Sequence, residues 1–151
     1  MRNFPRRFFF TAGAATLGCA FWATPSFADP GRGANVMCYV WANNASPTIN
    51  VPYEPSPTYS FNAQNRAGGI SVTKTATGTY TVTCTGVGGG SPWGAGGHVQ
   101  VSAYGFSNNG SCHVAGWGTG GADFTATVNC YGGGGTGGVL KDSAFDLLFV
   151  W

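Results

Sequence analysis

Charge is what this chain has least of. Only 8% of its 151 residues are charged, and Glu54 is the single glutamate. Beyond residue 28, leucine, lysine and glutamate are nearly absent while glycine, threonine and serine abound. That composition withholds the residues that favour helix. The formal net charge of +2 includes Arg2, Arg6 and Arg7. From residue 29 onward, Arg32, Arg66, Lys74 and Lys141 face Asp29, Glu54, Asp123, Asp142 and Asp146, and four minus five gives −1. No basic patch remains to supply the electrostatic attraction that nucleic acid requires. No polybasic stretch addresses an anionic membrane, and no later segment is long and apolar enough to span a bilayer.

Familiar chemical motifs are missing as well. No glycine-rich run ends in Gly-Lys-Ser/Thr, so Gly86 to Gly97 and Gly132 to Gly138 read as flexible connectors, the second as a loose hairpin connection. No Gly-x-Ser-x-Gly elbow presents a nucleophile. No Cys-x-x-Cys pair occurs, and the histidines lack the spacing of a zinc finger. Calcium would need a dense Asp/Asn/Gly loop, which the chain does not contain. Neither metal nor cofactor is implied.

What is present begins with an export signal. Arg2, Arg6 and Arg7 form a charged start, Phe8 to Trp22 is mostly apolar, and Ser26-Phe27-Ala28 offers small residues where a signal peptidase reads. Cleavage is expected near Ala28, leaving residues 29–151 as one secreted or cell-surface domain. Arg6-Arg7-Phe8-Phe9-Phe10 also fits a twin-arginine signal. Paired arginines occur in ordinary signals too, so both export routes stay open. Leucine stands one place too late for Cys19 to anchor a lipoprotein, and Cys19 belongs to the removed segment.

The remaining chain alternates with a period of two. Thr79 to Thr85 sets Tyr80, Val82 and Cys84 against four threonines, and Phe124 to Tyr131 sets Phe124, Ala126, Val128 and Cys130 against Thr125, Thr127 and Asn129. His98 to Gly105 sets Val99, Val101 and Ala103 against polar neighbours and Tyr104. Shorter candidates are Val36 to Ala42, Thr58 to Asn62, Gly69 to Lys74, Ser111 to Trp117 and Ser143 to Val150. About eight antiparallel strands at this density predict an all-β, two-layer β-sandwich, Ig-like or jelly-roll-like, with its core on the valine and cysteine faces. Asn43 to Pro57, with its prolines, reads as a loop or an edge excursion. Asn109-Gly110 predicts a tight hairpin joining the two strands beside it. That register sets Tyr104 opposite Ala115 and Ser102 opposite Trp117, and gathers Tyr104, Phe106, His113 and Trp117 on the side away from the core.

Four cysteines remain after the signal, an even number that implies two disulfides in an exported chain. Two half-repeats, 36–86 and 98–151, each carry a pair: Cys38-Tyr39-Val40 begins the first and Thr81 to Gly86 closes it, and Cys112-His113-Val114 begins the second and Thr127 to Gly132 closes it. Of the three possible pairings, this favours Cys38–Cys84 and Cys112–Cys130.

The segments Tyr39-Val40-Trp41-Ala42-Asn43, Gly78 to Thr83, Val99 to Gly105, Thr127 to Tyr131 and Phe145 to Val150 together resemble small secreted or surface repeat proteins of actinobacteria. The shared pattern covers nearly the whole chain beyond the signal. Its motifs are strands and flanking glycines, so the resemblance implies habitat and architecture and transfers no active-site residue.

Catalytic constellations are hard to assemble. His98 and His113 are the only histidines; His113 with Asp123 and a serine would make a triad on paper, and a surface histidine on a strand is the simpler account. Glu54, Asp123, Asp142 and Asp146 are a thin supply of acids for glycoside hydrolysis, and Asp142 suits the turn at Lys141 to Ser143. The aromatics carry the functional expectation. Tyr39 and Trp41, and Tyr104, Phe106, Trp117 and Tyr131, fall on faces opposite the cysteines, with His113 beside them. Such a face suits stacking on carbohydrate or packing on an extracellular protein, and burial as ordinary core is the competing reading. The reading is a non-catalytic extracellular binding or surface module. A small hydrolase or enzyme inhibitor, and a structural envelope or spore-layer protein, are the alternatives. A hydrolase predicts His98 and His113 in a cleft with acid neighbours.

Overall fold

The computed structural model describes residues 37–64, 69–88, 97–105, 110–119, 121–133 and 138–150. The signal segment, its boundary at Ala28, and Phe106 lie outside them. The described residues contain no helix and form ten strands in two antiparallel sheets. The first sheet contains β1 (Met37–Ala42), β3 (Phe61–Asn62), β6 (His98–Tyr104) and β10 (Ala144–Val150), in the order β3-β1-β10-β6. The second contains β2 (Pro52–Tyr53), β4 (Ile70–Ala76), β5 (Thr79–Cys84), β7 (Ser111–Gly118) and β8 (Phe124–Gly132), in the order β2-β4-β5-β8-β7, while β9 (Val139–Leu140) also pairs with β8. All eight expected strands form. The additional two are two-residue ladders in segments rich in proline or glycine. Pro52 sits in the edge strand β2, where a missing N–H is tolerated.

The core lies where the alternation placed it. Cys38, Val40, Ala42, Phe145, Leu147 and Phe149 from the first sheet meet Val72, Tyr80, Val82, Phe124 and Val128 from the second, all buried. Each large apolar side chain removed from water in this way contributes roughly 1.5–3 kcal/mol. Both disulfides form as paired above, but their roles differ. Cys38–Cys84 joins β1 to β5 across the core, 46 residues apart. Cys112–Cys130 joins directly opposed residues of neighbouring strands, 18 residues apart. Chain entropy alone makes the longer closure worth about 4 kcal/mol and the shorter about 3 kcal/mol.

One local expectation is corrected. β6 and β7 are not a hairpin. β6 pairs with β10, so Tyr104 stands opposite Ala144 and Ser102 opposite Asp146. β7 pairs with β8 in the other sheet. The chain leaves β6 at Gly105, whose φ of 139° suits glycine alone. The Asn-Gly signal is local and carries no information about longer partners. β10 offers β6 seven paired residues and completes the inner face of the first sheet.

One end of the sandwich is closed by a polar cluster. Alternation turns Lys74 inward after Ile70 and Val72, and its ammonium pairs with Asp142. Asp142 also accepts hydrogen bonds from the Gly78 N–H (2.8 Å) and the Ser46 hydroxyl (3.1 Å). Its carboxylate therefore ties the β4–β5 turn to the connection before β10, beyond its own turn. The buried Tyr80 hydroxyl accepts from the Ser143 N–H (3.0 Å) and donates to the Ala45 carbonyl (2.8 Å). Burial raises the Asp142 carboxyl, but the bonds from Lys74, Gly78 and Ser46 outweigh it and hold the group below its ordinary value. Gly78 is required here: its φ is 67°, and an added Cβ would stand 2.6 Å from the Cys130 carbonyl oxygen.

Candidate functional site: an aromatic face around Asp146

The inward cysteine and valine of β1 leave Tyr39 and Trp41 pointing outward. On β10, the inward Phe145, Leu147 and Phe149 leave Asp146 and Leu148 outward. The registers then fix the pattern. Trp41 lies opposite Asp146, which lies opposite Ser102; Tyr39 lies between Phe61 and Leu148. Tyr104 sits at the end of β6, with its ring parallel to that of Trp41 at 10° and 6.1 Å between centroids.

A fourth ring arrives from a turn. The Trp41 N–H donates to the Ser60 hydroxyl (3.0 Å), and the N–H groups of Tyr59 and Ser60 both donate to the Ser56 carbonyl. This holds Tyr59 edge-on to Trp41, 4.7 Å between centroids and 64° between planes. Tyr59 is 58% exposed. The face thus has an open edge at Tyr59 and half-buried rings behind it.

Its electrostatics are unusual. The Oδ1 atom of Asp146 is buried with no hydrogen-bond partner among the described residues. Burial raises the Asp146 carboxyl above its ordinary value, and the nearby Tyr39 hydroxyl offsets only part of this. The Tyr104 phenol is pushed up to about 12, first by burial and then by the negative charge of Asp146. Tyr39 rises for the same two reasons. A buried polar atom left unpaired costs on the order of 1–3 kcal/mol, so this face holds a local cost that the fold carries elsewhere.

The residues gathered by the hairpin register do not share one face. Tyr104 belongs to the cluster just described. His113 is exposed on the outer face of the second sheet, with its Nε2 3.1 Å from the Ser111 hydroxyl and its ring 5.9 Å from that of Tyr131. Trp117 follows a register shift between Val114 and Gly116 and stands opposite the buried Ala126. The bulge reverses its parity, so its ring reaches Phe124 and Phe149 at 6.4 and 6.0 Å, although it remains 40% exposed. Tyr39 and Trp41 do join Tyr104. Tyr59, Phe61 and Asp146 complete the face and were not singled out for it. The parity of Phe145, Leu147 and Phe149 was the signal for Asp146; Tyr59 is placed by a turn and had none.

Among the described residues, neither histidine is brought against the acid neighbours that a hydrolase predicts. His98 is exposed on the edge strand β6. Asp123 accepts the Gly86 N–H (2.9 Å), and neither histidine contacts a carboxylate among the described residues. The described residues contain no group of three or more His, Cys, Asp or Glu able to hold a metal. They contain no helix long and apolar enough to cross a membrane. No protein-family model, curated protein or solved structure matches the chain.

Proposed function

We propose that this protein is an extracellular, non-catalytic module that binds carbohydrate through Tyr39, Trp41, Tyr59 and Tyr104. The carrying observation is the Trp41 indole set between the edge of Tyr59 and the parallel ring of Tyr104, on a sheet that fixes its position. Flat rings held this way offer apolar surface to the C–H faces of a sugar, while Ser102 and Gln100 on the same face can meet its hydroxyls. Asp146 supports the reading, because an unpaired buried carboxylate oxygen beneath the rings is a stability cost that the sandwich itself does not require. Two disulfides suit the oxidising conditions outside a cell. The signal-like segment and the resemblance to actinobacterial surface proteins point the same way.

The test is retention on insoluble polysaccharide, with cellulose, chitin and cell-wall sacculi as probes. Tyr59→Ala leaves the thermal midpoint unchanged, since the ring is mostly exposed, and lowers the bound fraction at least tenfold. Unchanged retention of Tyr59→Ala and Trp41→Ala on every polysaccharide that holds the parent sinks the proposal.

A further inference from the structure

We infer that the open edge of β6 pairs antiparallel with the same edge of a second copy of this chain, joining two first sheets into one. The pairing goes beyond the carbohydrate reading and does not depend on it.

A sheet edge presents backbone N–H and C=O groups without partners, and proteins that stay single blunt such edges. Among the described residues the other edges are blunted. β2, β3 and β9 have two residues each, and β2 contains Pro52. β7 is interrupted by its bulge between Val114 and Gly116. β6 carries none of these devices. Its seven residues, His98–Tyr104, include no proline, glycine, lysine, arginine or acid. They pair with β10 in one unbroken register. β7 approaches from the second sheet but forms no ladder with β6.

The core is also left open on this side. Val40, Leu147 and Val101 form one row across the first sheet, and Ala42, Phe145 and Ala103 form the next. Val40 and Leu147 are 0% exposed, whereas Val101, Ala103 and Val99 pack on the core and are only partly buried. The apolar rows therefore end in solvent at β6. A further strand would cover them and satisfy the edge at once.

The order of residues along β6 names that strand. Turned antiparallel on itself about Val101, β6 sets Val101 opposite Val101, Val99 opposite Ala103, Gln100 opposite Ser102 and His98 opposite Tyr104. All seven residues are used. Every inward pair is apolar, and no like charges from acids, lysines or arginines are opposed. A slip of one residue would turn the second copy's valines outward, so the register is specified. The contact is the same patch on both copies, which closes as a two-fold dimer and does not propagate.

The pairing extends the outer face as well. The row Phe61, Tyr39, Leu148, Gln100 continues into the second copy's Ser102, Asp146 and Trp41. Two aromatic clusters then flank a seam of Gln100 and Ser102. On the carbohydrate reading, one sugar chain crosses both copies.

Sedimentation of the purified protein across a dilution series tests the pairing without any ligand. The ladder is short for a permanent interface, so the expected result is a dimer that dissociates on dilution. Gln100→Lys with Ser102→Lys sets lysines opposite each other across the seam and weakens association by roughly tenfold or more. Both side chains are exposed, so the thermal midpoint of the monomer is unchanged. Cysteine cross-linking fixes the register. Val101→Cys meets its own copy at the two-fold and oxidises to a covalent dimer, whereas Val99→Cys faces Ala103 and does not. A parent that is monomeric at every concentration overturns the inference. So does a dimer that the lysines leave intact, or one in which Val99→Cys cross-links as readily as Val101→Cys. Polysaccharide retention is read separately: a dimer that retains nothing keeps the pairing and removes the ligand, and a monomer that is retained does the reverse.

Discussion

Asp142 and Asp146 stand four residues apart, at the entrance to β10 and within it, and their surroundings are opposite. Asp142 meets the Lys74 ammonium, the Gly78 N–H and the Ser46 hydroxyl in the polar cluster. Asp146 lies among Tyr39, Trp41 and Tyr104 with one oxygen buried and unpaired. The first carboxyl is held below its ordinary value and the second above it. Position in the strand explains the split. Asp142 precedes the ladder and can swing to the end of the sandwich, whereas Asp146 is locked outward by the parity of Phe145 and Leu147. A satisfied cluster of this kind stabilises and specifies the fold; an orphaned oxygen opposes it. The contrast separates a structural acid from one whose retention calls for another reason.

Removing the satisfied acid has the largest expected effect. Asp142→Ala leaves Lys74 buried without a counter-charge and lowers stability by about 3 kcal/mol, read from urea unfolding. Lys74→Met with Asp142→Leu removes both charges and recovers most of that loss. A fully stable Asp142→Ala protein would place the cluster outside the structural core. A somewhat smaller effect is expected one contact away. Gly78→Ala forces a Cβ onto the Cys130 carbonyl and keeps a positive φ, at a cost of about 2 kcal/mol. The orphaned acid behaves in the opposite sense. Asp146→Asn removes a charge that burial penalises and the Tyr39 hydroxyl offsets only in part, and it raises stability at neutral pH by about 1 kcal/mol, measured the same way. A destabilised Asp146→Asn would mean that this carboxylate, too, supports the fold.

Much of this contrast was legible in the residues, and the illegible part has a physical cause. Period-two alternation located eight strands and the buried face, because parity depends only on neighbours along the chain. Both disulfides followed from the place of each cysteine at the opening or the close of a half-repeat, although that placement could not distinguish a bridge across the core from one between adjacent strands. The failures were of partnership. Asn109-Gly110 suggested a hairpin, but β6 and β7 entered different sheets. Parity along the chain points Trp117 outward, and a single bulge reverses it. Lys74 continued the inward pattern of Ile70 and Val72, yet its partner Asp142 lay 68 residues away, beyond the reach of any local pattern.

The smallest effect, and the finest test of the comparison, is pH. Below the ordinary carboxyl value of 3.8, the unfolded chain binds a proton at Asp142 that the folded chain resists. The stability supplied by this acid is therefore present above that value and lost as pH falls through its lower folded value. Asp146 runs the other way. Its folded value lies above 3.8, so the native state holds a proton that the unfolded chain has released. Its contribution is complete below 3.8 and disappears as pH rises through the raised folded value. From these two groups, stability climbs on leaving strong acid and then declines at mildly acidic pH. Denaturant midpoints between about pH 2 and about pH 7 resolve the two limbs. Asp142→Asn flattens the rising limb and keeps the decline; Asp146→Asn flattens the decline and keeps the rise. Loss of both limbs in either variant would couple the two acids through β10 and remove the independence on which the comparison depends.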